Sequence, residues 1–380
     1  MNRRDFLMNS TTAATMVLLP RAALAAPGEI AMYTASDANI SDFFTNVVAP
    51  AFSAANEGAS VNVVIARDGG TDAVAARALA ALQTNTDPQL DFIEQYDPNL
   101  PVGGIEAGLW VDLSKAGLSN YGKVNPQAIQ SGYGLPWRGS QVLLAYDTTK
   151  VPVESAPKTF AALVEWIKAN PGQFIYNRPD KGGSGKYFVA RAVMEANGMD
   201  PSKFSVANYG SSDVAGMLGG GYAILRDLAP SLYDGGNYSG GNAASLQLLA
   251  QGAVSMVPIW SDMALQGIAT GALPETTGLV QLSDLAFCGG FSQAVVASNG
   301  ENKELALKLA DFLLTVEMQD AILTEVGGFP GVTWDNVSPA MRERFKDVVP
   351  ASIPTYPDGD WSTALNDGWY REVASGLSRD

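Results

Sequence analysis

The chain has 380 residues, 47% of them hydrophobic, with 24 basic and 39 acidic side chains and a net charge of −15. That length exceeds what one hydrophobic core usually sustains, so two lobes are expected, and the negative charge repels nucleic-acid phosphates and anionic lipid head groups. The sequence holds no histidine, which removes the usual neutral-pH general base, the usual zinc ligand and any Ser-His-Asp or Cys-His arrangement.

Residues 1–25 have a basic start, a short apolar stretch from Ala13 to Leu19, and Ala23 and Ala25 before a cleavage point. This is the pattern of a removable export signal. Arg3 and Arg4, followed by Phe6 and Leu7, resemble the twin-arginine export pattern, although Asn2 stands where Ser or Thr is favoured. Thr15 in the apolar stretch and Arg21 near the cleavage region suit the same route. No later apolar run reaches the roughly 18 residues needed to span a bilayer, so a periplasmic protein is expected.

After the signal, EIAMYTASD reads as a strand and loop, and SDFFTNVVAPAFSAAN as a helix capped by Ser41. The order repeats in ASVNVVIARDGG with TDAVAARALAALQ, and again from LDFIEQYD, which predicts a parallel α/β sheet with helices on both faces. Ligands of such sheets bind beyond the carboxyl ends of the strands. That places Ser36, Asp37, Asp68, Gly69, Gly70, Tyr96 and Asp97 among the candidates, each of which also fits a turn residue or helix cap.

GLPWRGSQVLLAYDTTK reads as a crossing between lobes, after which a new series begins: the helix TFAALVEWIKANPG, the strand FIYN and the helix GSGKYFVARAVMEANG. The strand GAVSMVPIW and the helix SDMALQGIATG close it. A return crossing is expected near LVQLSDLAFCGGFSQAVVAS, where Cys288 reads as a small buried residue. The helical run KELALKLADFLLTVEMQDAIL should pack on the first lobe. The expected division is 26–141 with 287–380 as lobe 1, and 142–286 as lobe 2.

At the crossing, Trp137, Arg138, Gly139 and Ser140 would set an aromatic surface and a guanidinium before a solute, although Trp137 also fits hinge packing. Asn177 and Arg178 end a strand, while Gly182, Gly183 and Ser184 open a helix whose free N–H groups could hold a polar or anionic group. KGGSGK lacks the spacing of a nucleotide-binding loop, since Tyr187 follows Lys186. Neither a cofactor nor a resident metal is implied. Tyr187, Trp260 and Asp262 would suit an organic cation through cation–π attraction and charge pairing, whereas Arg138 and Arg178 favour an anion or zwitterion. A competing reading is a secreted hydrolase with Glu94 and Asp97, or Asp262, as acid and base.

Four segments, PWRGSQVLLAYD, ANPGQFIYNRPDKGGSGKYFV, LLAQGAVSMVPIWSDMALQGIATGALP and ALKLADFLLTVEMQDAILTEVGGFPG, together resemble the extracellular solute-binding proteins of ABC importers. The branch they resemble is the YnjB-like one, related to thiamine-, polyamine- and iron-binding receptors. The resemblance implies a type II two-lobe clamp with two or three hinge strands. It further implies a monomer that captures a small solute, thiamine-like, polyamine-like, zwitterionic or anionic, and passes it to a membrane permease and its ATPase. Iron receptors of related branches use adjacent tyrosines, often with a histidine; this chain has neither, which disfavours ferric iron.

Overall fold

The computed structural model describes residues 28–66, 69–345, 353–357 and 359–379. The expected export signal at 1–25 and the candidate Asp68 lie outside the described residues. The strands are β1 Glu29–Thr34, β2 Ser60–Ile65, β3 Phe92–Glu94, β4 Leu135–Asp147, β5 Met256–Trp260, β6 Thr277–Val280, β7 Gly289–Val296 and β8 Phe329–Pro330. The α-helices are α1 Ala38–Phe43, α2 Ala49–Ala55, α3 Gly70–Thr84, α4 Phe160–Ala169, α5 Gly183–Ala196 and α6 Val214–Leu228. They continue with α7 Asn242–Ala250, α8 Ser261–Ala269, α9 Lys303–Leu313, α10 Val316–Ala321, α11 Pro339–Phe345 and α12 Asp360–Glu372.

The strand order is β2-β1-β3-β7-β4-β5, with β6 and β8 also on β4. Only the pairs of β1 with β2 and β3 are parallel; the pairs made by β4 and β7 are antiparallel, so the sheet is mixed rather than parallel throughout. The reason is local. Both crossings are single extended strands that run beside each other in opposite directions, and such a pair needs no crossover helix.

β4 joins two packing groups. Its Leu135–Gln141 part pairs with β7, and Val142–Tyr146 pairs with β5. On one side, Met32, Phe44, Phe92 and Trp137 share a core with Leu309 and Leu313 of α9, while Tyr33, Ile93 and Ala78 form a second cluster on the same sheet. On the other side, Leu144, Phe160, Phe174 and Phe188 form the largest core, flanked by a cluster around Ile175, Val257 and Ile259. Burial of these apolar side chains, each worth about 1.5–3 kcal/mol, is what holds each side together.

Three further expectations are corrected. Helix α1 starts at Ala38 after Asp37, and Ser41 Oγ donates to the Ala38 carbonyl inside the first turn instead of capping the helix. FIYN forms isolated bridges, Phe174 to Met256 and Asn177 to Ser239, rather than a strand. The third concerns the C terminus, expected wholly in lobe 1. Trp361, Leu365 and Trp369 of α12 belong instead to the core of Phe188 and Tyr222, and the Tyr222 hydroxyl donates to the Leu365 carbonyl. Gly368 permits this approach, since a Cβ there would overlap the Tyr222 ring.

A candidate solute-binding cavity

The period of two along β4 decides what its residues face. A register irregularity between Pro136 and Arg138 makes Trp137 the extra residue of a bulge. Its ring is 0% exposed, stacked on Phe43 at 6.1 Å and set edge-on to Phe44 at 5.0 Å. Trp137 is therefore core, which corrects its candidacy as a solute surface. Arg138 packs against it, with its guanidinium carbon 5.2 Å from the ring centroid.

Arg138 and Ser140 point the other way, toward the head of α8. Arg138 Nη1 donates to Asp262 Oδ2 at 3.0 Å, and Ser140 Oγ donates to Asp262 Oδ1 at 2.9 Å. Both members of the ion pair are nearly buried. Behind it, Glu94 accepts from Thr34 Oγ1 at 2.7 Å and from Ser36 Oγ at 2.8 Å, because Thr34 and Glu94 are register partners on adjacent strands. Burial raises the Glu94 carboxyl above its ordinary range, and the Arg138 charge offsets this only in part.

In front of this network lies a cavity of about 770 Å³, lined from both packing groups. The expected residues Ser36, Asp37, Tyr96, Arg138, Ser140, Gly183, Tyr187, Trp260 and Asp262 line it. Trp260, at the end of β5, packs on the first turn of α5: a Cβ on Gly183 would overlap its ring, and Tyr187 meets it edge-on at 5.5 Å and 77°. Glycine at 183 thus sets the position of the indole.

Four other candidates stand elsewhere. Gly70 opens α3 outside the lining, after Gly69 at φ 80°. Asn177 and Ser184 are wholly buried beneath it; Ser184 Oγ lies 2.7 Å from both Asn177 Oδ1 and Asn242 Oδ1. Arg178 Nη1 donates to the Ser378 carbonyl, so the C-terminal tail takes up this guanidinium. Adjacent side chains seldom face the same way, so Gly183 lines the cavity while Ser184 beside it does not.

Sequence reasoning missed Asn39, Gln293, Phe291 and Asn242, which also line the cavity. Gln293 Nε2 donates to the Ala128 and Phe291 carbonyls, which orients the amide and leaves buried Oε1 without a partner; Asn39 Nδ2 is likewise buried and unpartnered. Unmatched buried polar atoms cost about 1–3 kcal/mol each, so this wall suits a polar solute that pairs with them. The alternation of Phe291 and Gln293 along β7 was the available signal.

The hydrolase arrangement is not assembled. Glu94 is 0% exposed and does not line the cavity, Asp262 is bound to Arg138 and Ser140, and Asp97 accepts from the Asn99 backbone at 2.9 Å. Among the described residues no helix is long and apolar enough to cross a membrane.

Protein YnjB of Escherichia coli (strain K12) is 26% identical over 243 residues, 62% of this chain and 61% of YnjB. The matched stretch therefore spans about three fifths of that relative. A periplasmic thiamin binding protein superposes with a TM-score of 0.62 at 17% identity, covering 92% of this chain and 96% of that one. The substrate binding protein of the ABC transporter from Agrobacterium tumefaciens gives 0.64 at 14% identity, covering 91% and 94%. These two likenesses show the periplasmic binding protein fold. The family model for bacterial extracellular solute-binding proteins matches residues 48–340, and the chain belongs to that family.

Proposed function

We propose that this protein is the solute-capturing subunit of an ABC importer, carried out of the cytoplasm by the twin-arginine-type signal at residues 1–25 and working as a monomer beside a permease and its ATPase. The cavity is the observation that supports the reading: its walls come from both packing groups, and it places an aromatic pair, Trp260 and Tyr187, opposite the polar wall of Ser36, Asp37 and Asn39. Closing two lobes on a solute needs no catalytic group, and closure is what a permease can sense.

Of the solute classes considered, an organic cation of the thiamine-like or polyamine-like kind fits best. The two arginines that favoured an anion are engaged, Arg138 by Asp262 and Arg178 by Ser378, and so are the lining lysines, Lys181 by Asp180 at 4.0 Å and Lys186 over the Tyr187 ring at 4.8 Å, whereas Asp37 and Asp97 remain exposed on the wall. Aromatic faces attract cations at the edge of such a wall.

A thermal-shift screen of the mature protein against vitamins, polyamines, amino acids, sugars and inorganic anions tests this. A solute at 100 times its dissociation constant stabilises the fold by about 2.7 kcal/mol. The reading predicts a shift with organic cations and none with sugars or anions. Turnover of a screened compound, or no shift with any class, would contradict it.

A further inference from the structure

We infer that Asn242 is a positioning residue that latches the two walls of the cavity to each other directly, with no solute in between. Its amide has two faces with different partners. Asn242 Oδ1 accepts from the Ser184 backbone N–H at 3.2 Å and lies 2.7 Å from Ser184 Oγ, which fixes the head of α5 to the head of α7 on one wall. Asn242 Nδ2 donates across the cavity to Asp37 Oδ2 at 3.4 Å, on the loop after β1 of the opposite wall.

The sequence makes room for this double role. A Cβ at Gly182 would overlap the Asn242 carboxamide, so glycine is what lets the amide lie against α5. Asp37, although it precedes α1, makes no side-chain cap bond there and is left to accept from Asn242. Asn242 is 8% exposed while Asp37 is exposed, so one partner is held rigidly and the other can let go. Cavity walls bearing Trp260 and Tyr187 on one side and Ser36 on the other are thereby held in register, and a solute that enters finds them already facing each other.

The use of the latch rests on the receptor reading, but its test needs no solute, so either can fail alone. Small-angle scattering and thermal melting are measured on the solute-free wild type, Asn242→Asp, Asp37→Ala and the double variant Asp37→Asn/Asn242→Asp. Asn242→Asp keeps the acceptor for Ser184 but sets two carboxylates against each other. It should enlarge the radius of gyration, with the open-to-closed ratio changing about fivefold or more, the effect of one net hydrogen bond. Asp37→Ala lies at an exposed position, leaves the fold intact and should expand the protein in the same direction. In the double variant donor and acceptor trade places, and the radius should return to the wild-type value. A merely structural role for Asn242 would not be rescued at residue 37. Equal radii in all four proteins, or a double variant as expanded as Asn242→Asp, would overturn the inference.

Discussion

The two sides of the cavity where its walls meet are built very differently. Near β4 the join is a buried ion pair, Arg138 with Asp262, backed by Ser140 and Glu94, and α8 lies so close to the turn before β8 that a Cβ on Gly327 would overlap Leu265. At the rim it is one hydrogen bond, Asn242 to Asp37, with an exposed acceptor. Breaking a buried charge pair strands a charge in low dielectric, whereas an exposed bond exchanges with water at small net cost. Motion of one wall against the other should therefore pivot at Arg138 and open at Asp37.

Stability measurements by chemical denaturation can break this contrast. The largest effect is expected for Arg138→Met, which leaves Asp262 buried and unpaired and should cost about 3–5 kcal/mol. A loss no larger than that of a surface substitution would mean that the pivot is not a pivot. Gly327→Ala comes next, because residue 327 has a φ of 71° and no space for a Cβ; about 1–3 kcal/mol should be lost.

Glu94→Gln sharpens the same region through pH. The buried carboxyl has a folded pKa raised above its ordinary 4.5, so the folded protein keeps a proton that the unfolded chain has released. Wild-type stability should then fall as pH rises from about 4.5 through the raised value, and Glu94→Gln should remove that slope. A slope of opposite sign would show that Arg138 outweighs burial. The smallest effect belongs to the rim: Asp37→Ala should cost no more than about 1 kcal/mol, the worth of one net hydrogen bond. Cys288 offers a silent control, since burial pushes its thiol up to about 12 and no thiol reagent should modify it before unfolding.

Much of the fold was legible because apolar runs, helix caps and glycine stops are local signals. Helix α4, Phe160–Ala169, falls inside the run TFAALVEWIKANPG and stops at Asn170, although the cap expected at Ser41 does not form. The course of the C terminus was not legible: α12 docks on α5 and α6 through Trp361 and Trp369, and nothing in its own pattern says which surface it will cover. Within the site, identity was easier to read than direction. Trp260 and Trp137 look alike in sequence, yet a bulge turns one into the core while Gly183 seats the other at the cavity. Asn242 gave no signal at all, because its role depends on Asp37, 205 positions away in the chain.

That contrast between the tryptophans also supplies the decisive titration. With the compound found in the thermal-shift screen, equilibrium binding is measured for wild type, Trp260→Ala and Trp137→Phe. If solute is held in the cavity under the Trp260 indole, Trp260→Ala should weaken binding about tenfold or more, the loss of about 1.4 kcal/mol, while Trp137→Phe binds as wild type. Unchanged affinity in Trp260→Ala would place the solute elsewhere.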